Sequence, residues 1–369
     1  MKKLLICRGK EHTGVVHHRM LAPLNRLGIN HKDEFHLTEA ILNNDQLLNE
    51  PEDVLKRFDG VLLQRLISTQ GNVKAICDRL RGLGIKIIFD IDDYWELPHT
   101  HPYHGDYKKF DIPQQVRDAL TYSDLVTVST EELYHHVKPH NPNVEILPNC
   151  LDPDESQWRQ RNIDAPRLRF GWIGGSFHWN DISAYKDDFK GLDRNYRQKI
   201  QVVFGGFNPQ SQECMYIEAV FTNEYKHVST EYKDYLLNGD GALEHVALNQ
   251  PYRRLRNETI GRYGFLFDSV DVVLALLPRN DFNDSKSNLK ILEAGMKKKA
   301  IICSDVPAYN NDMCKAIQYC KPGNLAQTMK SINKDRAKDL GEELHEYVGR
   351  AYNIDKITEK RKQVYLSLW

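Results

Sequence analysis

Short apolar, β-branched runs alternate along most of the chain with stretches whose apolar residues recur every three or four positions. In the first part, residues 4–7, 60–63, 85–90, 125–129 and 144–147 read as strands. Residues 15–27 (ended by Gly28), 53–57, 72–83 (ended by Gly84), 114–121 and a short piece from Glu131 read as helices. A second alternation follows: strand 168–173, a turn at Gly174-Gly175, helix 182–199, strand 202–204, helix 259–267, strand 272–277, a helix, and strand 300–303. Residues 207–250 carry many tyrosines and no clear period, whereas 326–332, 335–348 and 354–368 read as helices. Strands that alternate with helices imply parallel sheets covered on both faces. Pro148, Pro153 and Pro166 punctuate a polar, helix-poor segment where a linker is expected. The predicted fold class is α/β, with Rossmann-like parallel-sheet domains at 1–155 and 156–349. A last helix at 350–369 is expected to pack back on the first domain.

Composition changes this picture little. A chain of 369 residues suits two cores better than one. Fifty basic residues against 51 acidic ones leave no global field to draw in nucleic acid or acidic membranes. The basic runs at 297–299 and 356–362 are expected to be solvated faces. Seven scattered cysteines without a C-x-x-C pair read as reduced thiols in a cytoplasmic protein. The N-terminus has too few apolar residues for a signal peptide, and no apolar run of about 18 residues is present.

Chemistry concentrates at residues 271–309, DVVLALLPRNDFNDSKSNLKILEAGMKKKAIICSDVPAY. Lys286, Lys290 and Glu293 fall at i, i+4, i+7, which would put them on one helix face beside an apolar stripe of Leu289, Leu292 and Met296. The preceding Asn283-Asp284-Ser285-Lys286-Ser287-Asn288 is rich in capping residues. A helix opening with free N–H groups and a lysine suits a phosphate, and a carboxylate further in suits sugar hydroxyls. The same spacing also fits an ordinary Lys290–Glu293 pair on a solvated face.

Three other groups stand out. The long loop FDIDDYWELPHTHPYHGDYKKF offers Asp90, Asp92, Asp93, Tyr94, Trp95 and several histidines. It could stack and activate an acceptor, bind a metal, or cap the following turn. Gly14 and His17 sit in the first loop and the helix after it, with His18 adjacent and pointing elsewhere. His178 precedes Asp181, which can act as a helix cap.

FNDSKSNLKILEAG followed by KKAIICSDVPAY resembles the GT-B glycosyltransferases, in particular glycosyltransferase family four, the glycogen-synthase-like group. FDIDDYWELP, LVTVST, ILPNCLD and FGWIGGSFHWNDI support it in order and spacing, so that the match spans most of residues 85–310. The resemblance implies a GT-B fold, two Rossmann-like domains facing each other across a cleft. It implies a nucleotide-sugar donor, such as a UDP- or GDP-sugar, held by the second domain, and no metal or other cofactor. Glu293 would take the ribose. Lys286 and the Ser287-Asn288 backbone would take the pyrophosphate, Gly174, Gly175 and Ser176 would approach it from the opposite strand, and Ser285 and Lys290 would also belong to the donor site. Lys286, Asp92 and His178 become the catalytic candidates, and Gly14, His17, Asp93, Tyr94 and Trp95 the acceptor side. The chain departs from the family where many members carry E-x7-E, because Ser285 holds the first position.

The expectation is therefore a glycosyltransferase acting with retention on an acceptor hydroxyl. The acceptor stays open among glycan, small molecule, protein and modified DNA base, and so does the oligomeric state. Two other readings compete with it. A Rossmann-type oxidoreductase or epimerase would need G-x-G-x-x-G after the first strand, where residues 8–14 read RGKEHTG. A GT-B-like scaffold that binds without catalysing would fit the missing glutamate.

Overall fold

A computed structural model describes residues 1–8, 13–41, 44–161, 163–222 and 248–369. Much of the tyrosine-rich stretch and residues 9–12 of the first loop lie outside the described residues. The contacts divide the chain into two compact units. The first is Met1–Asp152 with Asn280–Leu289 and Tyr352–Trp369, and the second is Pro153–Arg279 with Lys290–Ala351.

The first unit holds β1 (Lys2–Arg8), β2 (Phe35–Ile41), β3 (Gly60–Gln64), β4 (Lys86–Ile91), β5 (Leu125–Val128) and β6 (Val144–Ile146). They form one parallel sheet in the order β2-β1-β3-β4-β5-β6. Leu5, Val61, Leu63, Ile87, Phe89 and Val126 face one core, while Leu4, Ile6, Leu62, Ile88 and Leu125 face another. Central strands covered on both sides need apolar residues at every position, which explains the unbroken runs in the sequence. The helix Ile354–Leu366 adds Val364 and Tyr365 to the second of these cores. Asn353 caps it by accepting from the amides of Asp355 and Lys356.

The second unit holds β7 (Leu168–Ile173), β8 (Ile200–Phe207), β9 (Tyr252–Arg256), β10 (Val272–Ala275), β11 (Ala300–Ser304) and β12 (Ile317–Cys320). Their order is β12-β11-β10-β7-β8-β9, again all parallel. Phe170, Trp172, Phe204, Leu274 and Ile302 anchor one face. Each such side chain contributes about 1.5–3 kcal/mol when fully buried.

Several expectations are corrected. β2, β9 and β12 were not predicted, and helix 182–199 is broken into Trp179–Ser183, Lys186–Lys190 and Arg194–Arg197. Asp193 starts the last piece by accepting from the Tyr196 amide at 2.9 Å, so a local cap competes with continuation. Helix 259–267 is instead a 3-10 helix, Tyr263–Ser269. The first helix opens with a π-helical segment, Val16–Leu21, and Gly28 does not end it, since Ala22–Asn30 is continuous.

The basic runs are solvated only in part: Lys356 and Lys360 are exposed, but each run has one buried basic member. Lys297 is buried, donating to Asp268 and to the Arg159 carbonyl at 2.8 Å each. Arg361 is also buried and donates to the Tyr365 hydroxyl at 2.9 Å. A charge with a satisfying acceptor can be buried, and sequence composition does not reveal the acceptor.

Candidate active site

The stretch 271–309 folds as β10, a short helix Asp281–Asp284, the helix Leu289–Met296, β11 and the short helix Pro307–Asn310. Asn280 caps the first of these by accepting from the Asn283 amide. Because the next helix begins only at Leu289, Lys286 lies in the loop before it and does not share a helix face with Lys290 and Glu293. Nor is that helix free on one side: Ile291, Leu292, Glu293, Ala294 and Gly295 are all buried. A β-carbon on Gly295 would press on Val348 of the helix Lys334–Ala351, and His345 meets the Gly295 carbonyl at 2.8 Å.

In the second unit Glu293 sits at the carboxyl end of the sheet, only 1 % exposed. Lys290 donates to its Oε2 at 2.7 Å and to the Tyr263 hydroxyl at 2.5 Å, and Tyr263 donates on to the Ile173 carbonyl at 3.2 Å. The chain of bonds ties Glu293 to the last residue of β7, directly before Gly174-Gly175. Burial raises the Glu293 carboxyl above its ordinary range, against the pull of Lys290. Burial also works against the Lys290 charge, but Glu293 and Tyr263 outweigh it and hold the ammonium high. Burial and the nearby Glu293 push the Tyr263 phenol up to about 12. Among the described residues no hydrogen bond reaches Glu293 Oε1, so one carboxylate oxygen is held in place while the other keeps its accepting capacity. The i, i+3 pair is real, and it serves to fix the carboxylate.

Gly174 donates to the Gly205 carbonyl at 3.0 Å, and Ser176–His178 forms a single 3-10 turn. Gly206 has φ +99°, and a β-carbon there would collide with the Gly174 carbonyl. Gly206→Ala should therefore lower stability by about 1–3 kcal/mol and disturb the glycine turn. A urea melt checks this, and a midpoint equal to that of the parent chain would contradict it. His178 Nδ1 meets Asp181 Oδ2 at 2.7 Å. Ser304, at the end of β11, meets the Tyr185 hydroxyl at 2.6 Å and accepts from the Leu277 amide at 2.7 Å.

The other candidates lie in the first unit. Lys286 stands 4.4 Å over the Phe282 ring and, among the described residues, has no carboxylate partner. Ser285 is buried, its carbonyl accepting from Thr130 at 3.2 Å, while among the described residues its hydroxyl has no hydrogen-bond partner. Asn288 donates to Tyr352 at 2.6 Å, and Ser287 is half-buried. Asp90 is fully engaged: Arg19 Nε and Nη2 reach it at 3.0 and 2.6 Å, and Thr127 donates at 2.7 Å. Asp93 pairs with Arg65 at 2.7 Å. Trp95 is buried in the core, and half-buried Tyr94 packs on it and on His136. Gly14 and His17 are half-buried at the start of the first helix, and the His17 amide bonds back to the Thr13 carbonyl.

Asp92 differs from its neighbours because Oδ1 is buried and, among the described residues, has no hydrogen-bond partner. Burial, then Asp93 and Asp90, push its carboxyl up to about 7, although Arg65 and Arg19 oppose the shift. The unfolded value is about 3.9. The folded chain thus binds the proton more tightly, and this stabilisation, complete below about pH 4, is lost as pH rises through 7. Asp92→Asn should raise the melting temperature at pH 8 and leave it little changed at pH 4. An equal shift at both pH values would contradict the assignment.

No protein-family model matches the chain, and no curated protein matches it by sequence. Solved structures do match in three dimensions. HepE of Anabaena in complex with UDP superposes at TM-score 0.62 and 12 % identity, over 100 % of both chains. Sucrose-phosphate synthase of Thermosynechococcus elongatus does so at 0.65 and 10 %, over 100 % of this chain and 99 % of the other. An alpha-glucosyltransferase in complex with UDP and a 13-mer DNA containing an HMU base gives 0.60 and 12 %, over 98 % and 99 %. The fold is GT-B.

Within this GT-B chain the predicted donor residues are divided. Gly174, Gly175, Ser176, Lys290 and Glu293 belong to the second unit, and Ser285 to Asn288 to the first. Sequence reading missed Tyr263, whose only signal is an aromatic residue in GRYGFLF, and Arg19, a basic residue in an apolar helix. Among the described residues no three His, Cys, Asp or Glu side chains group as a metal would need, and no helix is long and apolar enough to cross a membrane. All seven cysteines are buried and free.

Proposed function

We propose that the chain is a glycosyltransferase that takes a sugar from a nucleotide-diphosphate donor and passes it to an acceptor hydroxyl. The observation that carries the reading is Glu293, pinned at the carboxyl end of a parallel sheet by Lys290 and Tyr263, beside a glycine turn. Ligands of open α/β sheets bind at that end, and a fixed acceptor suits vicinal ribose hydroxyls. The UDP in the HepE structure and the UDP-glucose in a second HepE structure support UDP as the nucleotide.

Breaking the glycosidic bond leaves charge on the diphosphate. In the second unit the Gly175 backbone amide is suited to stabilise it, as is, in the first, the Lys286 ammonium, which among the described residues has no carboxylate partner. Lys286→Ala should slow turnover by about 10-fold or more with UDP affinity little changed, because a contact that strengthens as charge develops acts on the rate. Steady-state kinetics beside UDP titration separates the two effects. A loss confined to KM would contradict the role.

Asp92, poised near neutrality, is the acid–base candidate of the first unit. Retention of configuration, cytoplasmic location and kinship with glycosyltransferase family four belong to the same proposal. Family kinship rests on the sequence motifs, and retention is supported by a structurally similar trehalose-6-phosphate synthase, solved in work on glycosyltransfer with retention. Of the open acceptor classes, a modified DNA base gains support from the neighbour bound to HMU-containing DNA.

Ser285, buried where many members of the resembled family carry glutamate, favours one alternative, a scaffold that binds nucleotide without transfer. Incubation with UDP-sugars decides between them. Release of UDP supports the transferase, and UDP binding without donor consumption supports the scaffold.

A further inference from the structure

The second unit has another basic feature, at the opposite end of its sheet from Glu293. A cavity of about 180 Å³ is bordered by five basic side chains and two carboxylates. Its walls come from the amino ends of the strands: Arg169 in β7, Asp271 just before β10, and Lys298 and Lys299 just before β11. Lys334 and Lys338 join them from the first turns of the helix Lys334–Ala351, whose dipole adds positive potential there.

Most of these charges are only partly satisfied. Arg169, 3 % exposed, spends Nε and Nη2 on Asp271 at 3.1 and 2.6 Å, and among the described residues Nη1 has no hydrogen-bond partner. Among the described residues the side chains of Lys299 and Lys338 make no ion pair or hydrogen bond. Lys298 is paired with Glu342 at 2.7 Å, and Lys334 donates to the Ala165 carbonyl. Burial, followed by Arg169, lowers the Lys299 pKa, as expected for a cation crowded by a like charge. An unpartnered buried guanidinium nitrogen costs free energy that a bound anion would recover.

We propose that this cavity is a second anion site, which takes a phosphate group, free or on a small monoester, through Arg169, Lys299 and Lys338. The guanidinium supplies a planar donor and the two ammonium groups supply charge. The excess of cations over carboxylates selects a dianion over a neutral sugar. Asp164 and Asp271 restrict the anion to the basic side of the cavity. The site is independent of the donor nucleotide, whose place is at the carboxyl ends of the same strands.

The test is calorimetric titration of inorganic phosphate, and separately methyl phosphate, into the full chain pre-saturated with UDP. Binding of one phosphate per chain is expected, weakening as salt rises. Lys299→Ala and the exposed-site variant Lys338→Glu should each weaken it at least 10-fold while leaving the melting temperature without phosphate unchanged. Saturation by methyl phosphate alone assigns the monoester, and saturation by both assigns the phosphate group itself. No saturable binding of either, or binding that both variants leave intact, would overturn the proposal. Should UDP fail to bind, the donor reading fails, and the same two variants still report on this cavity.

Discussion

Replacing Glu293 by alanine should weaken UDP binding by about 100-fold, which corresponds to losing two charge-assisted hydrogen bonds of about 1.5–3 kcal/mol each, less the partial replacement of each by water. Glu293 is suited to make such bonds because its position is fixed before any ligand arrives. Lys290 holds Oε2 at 2.7 Å, Tyr263 holds Lys290, and the Ile173 carbonyl holds Tyr263. A carboxylate fixed in this way gives up little conformational freedom on binding. Glu293→Gln retains the shape and loses the charge, so it should fall between the parent and the alanine variant. Calorimetry with UDP measures both, and affinity within twofold of the parent in the alanine variant would contradict the assignment.

The second large effect is expected in the first unit. Asp90→Ala should cost about 3–5 kcal/mol of stability, because it removes the only carboxylate that, among the described residues, hydrogen-bonds the buried Arg19. Both side chains are 1 % exposed. The pair fastens the π-helical segment Val16–Leu21 to the end of β4, and Arg19 also reaches the Leu147 carbonyl and Asn149. Carbonyl acceptors would remain, but their partial charges do not replace a carboxylate. Chemical denaturation gives the value. A loss below about 1 kcal/mol would mean that water or a rearranged acceptor satisfies Arg19.

The central strands were legible in the sequence because burial on both faces leaves an unbroken apolar run, as in β3, β4, β10 and β11. The three strands that escaped notice, β2, β9 and β12, are all sheet edges. An edge strand pairs on one side only and tolerates polar residues, so FHLTEAI and YRRLR carry no strong period. The capping residues and glycines around Lys286 and Glu293 marked the candidate site. What they could not mark was the support behind it. Tyr263 and Arg19 gain their meaning from partners about 90 and 71 residues away in sequence, and no local pattern announces such a pairing. The basic run at 297–299 misled for the same reason, since Asp268, the counter-ion of Lys297, lies 29 residues earlier.

The central claim is that Glu293 belongs to a working donor site. Its most direct test is to incubate the parent chain and the Glu293→Ala variant with a panel of nucleotide-sugars and follow donor loss and nucleotide release by mass spectrometry. The parent should consume a UDP-sugar and release UDP, and the variant should leave that donor intact at the same concentration. Consumption of no donor by the parent, or equal consumption by both proteins, would contradict the account.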